Sequence, residues 1–316
     1  MSPNSWICLH PSNATQTTVS LDNRGLAYGD GFFTTMGVID GQILWLDYHQ
    51  QRLVSHAVAL QLQLDSFSLL TVLKTHAKQL QQGMLKLIIT RAEQEVRGYG
   101  YTPNTGGGSA CEIWLKSSPM AITTARSLPL ADGQFIPLQP AASAICLSSQ
   151  IACLPPTLAG LKSLNRLDNV LASGELQAIK AKTLAGTIKP SIAEGLLRDM
   201  SGQWVEGTMS NVFYQLVEAP VAKSSNRPHS QNNSSNYLTQ GQWYTPSMAQ
   251  SGVAGVMRQV IIDALANTER PVVMRSLHDE DLPRITRLFF CNALRGIMPM
   301  SSLRLFSGEV VSFEAI

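Results

Sequence analysis

The segment Gly160 to Leu171, G-L-K-S-L-N-R-L-D-N-V-L, sets one lysine, Lys162, in an apolar approach to a helix and follows it with Asn165 and Arg166. A lysine amine becomes a nucleophile when apolar walls or neighbouring cations lower its pKa, and it then holds an aldehyde as a Schiff base. A solvated surface lysine fits the same local sequence. In W-V-E-G-T-M-S-N-V-F-Y, Trp204 to Tyr214, Glu206 ends a strand and Gly207-Thr208 let the backbone turn before Asn211. A carboxylate so placed can face inward and keep a heteroaromatic nitrogen protonated, or it can be a surface glutamate beside a turn. G-V-A-G-V-M-R-Q, Gly252 to Gln259, precedes a helix whose free amides at Val256 and Met257 suit a phosphate. Arg52, in Y-H-Q-Q-R-L, is either that phosphate's bidentate partner or a solvated helix arginine.

Alternating strand and helix patterns must position these groups. Trp45 to Leu64 carries apolar residues at helical spacing, with Asp47 placed to cap. Met84 to Thr90 and Cys111 to Leu115 are predicted strands, joined by a mobile loop containing Gly98, Gly100, Gly106, Gly107 and Gly108. Pro119, Pro129, Pro137 and Pro140 interrupt residues 119 to 140, which place a linker at about 121–140 between domains 1–120 and 141–316. In the second domain Leu164 to Ala181 reads as a helix, and Leu196 to Asp199 with Gln203 to Glu206 as a hairpin. A strand over Asn211 to Val217 runs into the polar stretch at about 223–242, K-S-S-N-R-P-H-S-Q-N-N-S-S-N, which reads as a disordered insertion. Gly255 to Leu265 is a further helix, with strands over Pro271 to Arg275 and Arg287 to Asn292.

Composition bounds the chemistry. With 316 residues, 44% hydrophobic and 15% charged, the chain can bury a full core. A formal charge of +2 and the lack of a basic run interleaved with aromatics argue against nucleic acid as a partner. Five scattered cysteines without C-x-x-C spacing disfavour disulfides and zinc and suit a reducing cytoplasm. His10, His49, His56, His76, His229 and His278 form no ligand pattern, so no metal is expected. The N-terminus has no signal-peptide pattern and no apolar run reaches a membrane span, so neither export nor membrane insertion is expected.

R-G-L-A-Y-G-D-G-F-F-T-T (Arg24 to Thr35), Y-H-Q-Q-R-L, L-K-S-L-N-R-L, V-E-G-T-M-S-N-V-F, G-V-A-G-V-M-R-Q and C-N-A-L (Cys291 to Leu294) stand in a familiar order. In these motifs, from about Leu21 to Met300, the chain resembles the fold-type IV pyridoxal-phosphate enzymes. That family includes branched-chain and D-amino-acid aminotransferases and aminodeoxychorismate lyase. Within it, Phe33-Thr34-Thr35 and K-x-L-N-R-L around Lys162 resemble the lyase. The resemblance implies an α+β or α/β fold of two domains, a small N-terminal one and a larger C-terminal one whose pseudo-barrel sheet is flanked by helices.

It also implies roles. Lys162 would be the Schiff-base lysine and proton-transfer base for pyridoxal 5'-phosphate, and Glu206 the partner of the pyridine nitrogen. Arg52, Val256, Met257, Asn292 and Ala293 would hold the phosphate, Val253 would pack on the ring, and Asn211 would lie near its substituents. Arg91, Arg97, Tyr99 and Phe33 are candidates to contact the substrate, and Thr34 or Thr35 to protonate the leaving group. The reaction implied is removal of pyruvate from 4-amino-4-deoxychorismate to give 4-aminobenzoate, with a branched-chain or D-amino-acid aminotransferase of the same fold as the rival. A cytoplasmic homodimer is the implied state.

Overall fold

The computed structural model describes residues 6–10, 18–103, 110–122, 126–130, 134–184, 192–217 and 237–313. Two compact units divide the chain, the first formed by Met1–Thr123 with Leu154–Leu167, the second by Thr124–Cys153 with Asp168–Ile316.

The first unit is built on an antiparallel sheet of five strands in the order β1-β5-β4-β2-β3. These are β1 (Trp6–His10), β2 (Gly31–Ile39), β3 (Gln42–Ile43), β4 (Gly83–Arg91) and β5 (Cys111–Pro119). Its helices are α1 (Arg24–Tyr28), α2 (Leu46–Ala59) and α3 (Ser66–Leu80). The two-residue period of the strands explains the core. Phe32, Met36 and Val38 of β2, with Leu85, Leu87 and Ile89 of β4, bury against Leu53 and Ala57 of α2 and Leu70 and Leu73 of α3. Phe33 and Thr35 therefore take the opposite face. Asp47 does not cap α2, because the N-cap is Trp45 in the left-handed region and makes no side-chain capping bond.

The second unit closes a barrel. β8 (Ala142–Ile151), β9 (Ile192–Asp199), β10 (Trp204–Gly207), β11 (Asn211–Leu216), β14 (Ile285–Asn292) and β15 (Gly296–Arg304) pair successively, and β15 returns to β8. All six strands send apolar side chains to one core, among them Cys146, Leu196, Trp204, Val212, Phe290 and Met300. Outside, Ala172 and Leu176 of α4 (Leu167–Leu184) cover Ile145, Leu147 and Leu197. The short strands β12 (Tyr244–Thr245) and β13 (Val273–Met274) extend the sheet from β11, and α5 (Val256–Leu265) lies between them in sequence. β16 (Val310–Ser312) pairs with β15. The expected architecture, mixed α and β with a pseudo-barrel sheet in its C-terminal part, is what the chain forms, and the first unit adds a separate five-stranded sheet.

Three organisational expectations need correction. The proposed linker at 121–140 holds β6 (Arg126–Pro129) and β7 (Phe135–Leu138), a hairpin that joins the barrel sheet through β15. Its prolines sit in edge pairings, which tolerate a missing N–H. Residues 154–167, which include Lys162, belong to the first unit rather than the second. Of the polar stretch 223–242, residues 223–236 lie outside the described residues, while Tyr237–Thr239 form a 3-10 turn with Tyr237 packed against Trp243 and Phe289.

Candidate active site

Lys162 does not sit in the first turn of a helix. Its segment is extended and runs along the start of β2, where β3 is too short to pair. Phe33 N–H donates to the Lys162 carbonyl at 3.1 Å, and Leu164 N–H donates to the Gly31 carbonyl at 3.0 Å. Between them Ser163 bridges Phe32. The Lys162 N–H donates to Nε2 of His56, on α2, at 2.9 Å. So held, the half-buried lysine places Nζ 4.7 Å from the centre of the Phe33 ring, and Lys86 Nζ lies 5.4 Å from the same ring. Thr35 shares this face of the sheet, opposite Lys86 in register.

Thr34 faces the other way. It is 0% exposed, its Oγ1 lies 2.9 Å from Nδ1 of His49, and it accepts from Arg52 at 3.5 Å. This corrects its candidacy as a proton donor, since a hydroxyl on the helix-covered face, committed to His49 and Arg52, steadies the arginine instead. Burial lowers the Arg52 pKa to about 10, which still leaves it cationic at neutral pH. Arg52, Lys162 and Arg166 act together on His56, so three cations converge on one part of the first unit. Such a cluster suits an anion.

The loop after β4 is braced by side-chain contacts over its described part. Arg91 is 3% exposed, its Nε donates to Asp30 at 2.9 Å, its terminal nitrogens donate to the Gln61 and Leu60 carbonyls, and Tyr101 covers its guanidinium. That corrects Arg91 as a carboxylate receptor, because the side chain is buried and already paired with the Asp30 carboxylate inside the fold. Arg24 also binds Asp30 and reaches the Gly98 and Tyr99 carbonyls, which fixes the path of the loop. Arg97 is exposed, and the 86% exposed Tyr99 meets Tyr28 edge-on at 5.3 Å. Gly106, Gly107 and Gly108 lie outside the described residues.

In the second unit the decisive local feature is a β-bulge. Trp204 pairs with Arg198, yet Glu206 pairs with Leu197, so one extra residue stands on β10. Strict alternation from Trp204, inside the barrel, would bury Glu206 inside as well. The bulge turns it to the outer face, with Leu197 on one side and Asn211 on the other. There the 3% exposed carboxylate accepts from Asn169 Nδ2 at 3.3 Å and from Val253 N–H at 2.9 Å. Asn211 donates to the Val253 carbonyl at 2.8 Å, so it holds the 251–255 loop. Gly252, at φ +76°, has a conformation that suits glycine. Gly255, the N-cap of α5, has no side chain to offer, and a Cβ there would stand 1.9 Å from Asn211 Oδ1. The amides of buried Val256 and Met257 open the helix beyond it. Asn292 ends β14 one residue past Cys291, the partner of Asn211, its Oδ1 accepting from the Leu294 and Arg295 amides, with Ala293 in that turn.

Composition did not single out His56, Asn169, Lys86 or Glu194. Glu194 accepts from Thr208 N–H, Thr208 Oγ1 and Ser210 Oγ, and so braces the turn that separates Glu206 from Asn211. Nothing in I-A-E-G-L-L marks it, because the donors of that turn come from residues 14 and 16 positions away.

Residues 31–303 match the family described as amino-transferase class IV. The chain belongs to that family, whose members share the fold-type IV architecture. It is 24% identical over 289 residues to an aminodeoxychorismate lyase of Vibrio harveyi, covering 91% of this chain and 88% of that one. A protein of Methanocaldococcus jannaschii that carries a provisional branched-chain-amino-acid aminotransferase name is 27% identical over 302 residues, 94% of this chain and 86% of its own. Among solved structures, 4-amino-4-deoxychorismate lyase from Pseudomonas aeruginosa superposes with a TM-score of 0.68 at 29% identity, covering 91% of this chain and 88% of that one. Among the described residues no helix is long and apolar enough to cross a membrane.

Proposed function

We propose that the chain is a pyridoxal-phosphate-dependent lyase that removes pyruvate from 4-amino-4-deoxychorismate to leave 4-aminobenzoate. The residues fit that cofactor. A buried carboxylate oriented by two donors, Glu206, suits a ring nitrogen that must stay protonated. In the second unit a glycine-opened helix start suits a phosphate, and in the first unit so does the buried Arg52, each taken by itself. When bound, the cofactor supplies an aldehyde for amines and a cationic ring that accepts electrons.

The observation that carries the reading is the presentation of Lys162, an amine fixed at its backbone on both sides and set over an aromatic ring on the face that carries Thr35. Lys162 takes the proton from the substrate carbon that bears nitrogen. The bond from the ring to the enolpyruvyl oxygen breaks, and Thr35 delivers the proton that turns the departing enolate into pyruvate. Aromatisation of the carbocycle drives the step, so the protein has chiefly to place one base and one acid. Arg97, Tyr99 and Phe33 are the residues assigned to substrate contact, with Val253 against the ring and Asn292 and Ala293 by the phosphate.

The two lyase relatives and the K-S-L-N-R-L sequence support this reading over aminotransfer. The Methanocaldococcus relative supports the second reading, a branched-chain or D-amino-acid aminotransferase. Borohydride reduction of the loaded protein followed by peptide mapping is expected to place a stable adduct on Lys162. Incubation with 4-amino-4-deoxychorismate is expected to release equal amounts of pyruvate and 4-aminobenzoate. Amino transfer to 2-oxoglutarate without pyruvate release establishes the rival instead. A cytoplasmic homodimer is the assigned state, for which light scattering is the check.

A further inference from the structure

We propose that His56 is a positioning residue for Lys162, a neutral acceptor whose one tautomer fixes the lysine backbone and thereby the reach of its amine. The proposal rests on Lys162 being the cofactor lysine. Two backbone bonds tie residues 162 and 164 to β2, but the Lys162 N–H itself goes to Nε2 of His56 at 2.9 Å. An Nε2 that accepts carries no proton, so the proton is on Nδ1. Nδ1 lies 3.2 Å from Ser55 Oγ, and that hydroxyl donates in turn to the Arg52 carbonyl. The chain of donors thus runs in one direction, from His56 through Ser55 to the backbone of the arginine assigned to the phosphate. Phe32 packs edge-on against the imidazole at 5.3 Å and completes its burial.

Among the described residues the charges that act on His56 are cations: Arg52 from its own helix, and Lys162 and Arg166 from the 154–167 segment. Protonation would add a fourth positive charge and remove the acceptor in one event. Burial first, then those three cations, push the His56 pKa down to about 3. His56 is therefore no acid or base in the reaction, and its contribution is geometric. It acts on the same residue whose Nζ must hold its place over Phe33.

The test uses the full chain. Long-range nitrogen NMR of the histidines is expected to show His56 as the Nδ1–H tautomer without titration from roughly pH 5 to 8. Hydrogen exchange at the Lys162 amide is expected to quicken about tenfold in His56→Leu and to return toward the parent rate in His56→Gln, whose carbonyl can accept. With pyridoxal 5'-phosphate bound, His56→Leu is expected to shift the pH at which the visible band titrates and to lower kcat with KM little changed. A ring protonated at Nε2, or a folded His56→Leu protein with an unaltered Lys162 amide, overturns the proposal. If His56→Leu does not fold, the tautomer and the His56→Gln exchange rate decide. Should borohydride trapping mark a residue other than Lys162 while the NMR result stands, the functional reading fails and the backbone contact survives.

Discussion

Adjacent residues of one strand have opposite fates, as the two threonines show. Thr35 shares a sheet face with Phe33 and so with the Lys162 amine, whereas Thr34 is sealed between β2 and α2. Thr35→Val is expected to slow pyruvate release about a hundredfold, the scale of a lost general acid, without lowering the melting temperature. Thr34→Val should do the reverse: it costs about 1 kcal/mol of stability by stranding His49 and Arg52, and weakens cofactor binding more than turnover. Equal turnover losses in both variants would sink the distinction. Glu206→Gln keeps the shape and the partners' geometry but removes the charge. A ring-nitrogen pKa lower by ~1–3 units in the loaded variant, read by nitrogen NMR, is the expected result. The residue types were legible in sequence, because lysine, glutamate and arginine announce their chemistry. Which threonine faces the amine was not, since a strand's facing depends on what covers it.

At the scale of elements, function depends on two departures from regularity. The bulge in β10 moves Glu206 from the barrel interior to the outer face, and the paired segment at the edge of β2 carries Lys162 before α4 begins. The sequence predicted the strands on either side of the bulge, β9 and β11, but not β2 itself, and a bulge is one residue of register that is set by the pairing partner. The hairpin of β6 and β7 was misread as a linker for a related reason. Proline density marks broken hydrogen bonding, and edge strands need fewer bonds than central ones. Gly255 offers a sharp test of the loop before α5. In Gly255→Ala the new methyl meets Asn211 Oδ1, and the strain is expected to cost about 1–3 kcal/mol and to loosen pyridoxal 5'-phosphate. Calorimetry and cofactor titration measure both, and a variant with parental affinity would mean the loop relaxes freely.

For the whole molecule, acid stability should fall in two stages. His49 and His56 are buried and neutral, with pKa values lowered from 6.5 to about 3, chiefly by burial and further by nearby cations. A lowered histidine pKa makes the unfolded chain the better proton acceptor, so stability is full above about pH 6.5 and erodes as pH falls toward 3. In the second unit Glu175, Asp199 and Asp281 also have lowered pKa values. Burial raises each, and donors from Ser148 and Ser149, from Ser201 and Ser251, and from Arg275 outweigh it. Their contribution holds above the ordinary carboxylate range, near 4, and is lost as pH drops through the folded values. Melting temperatures should therefore begin to decline just below pH 6.5 and steepen below about 4.5. In His49→Gln the early decline should shrink, and a flat profile from 7 to 5 in the parent would refute the histidine contribution.

The order of the six motifs, the reactive residue types and the alternation of strands and helices are properties of local sequence, and they established the family and the chemistry to look for. Distant pairing decided the rest: that residues 154–167 join the first unit, that six strands close a ring, that Glu206 turns outward and that His56 meets Lys162. Each of these contacts joins residues whose distance along the chain carries no periodic signal. Local propensity cannot encode them, and only the burial and hydrogen-bond satisfaction of the folded whole selects them.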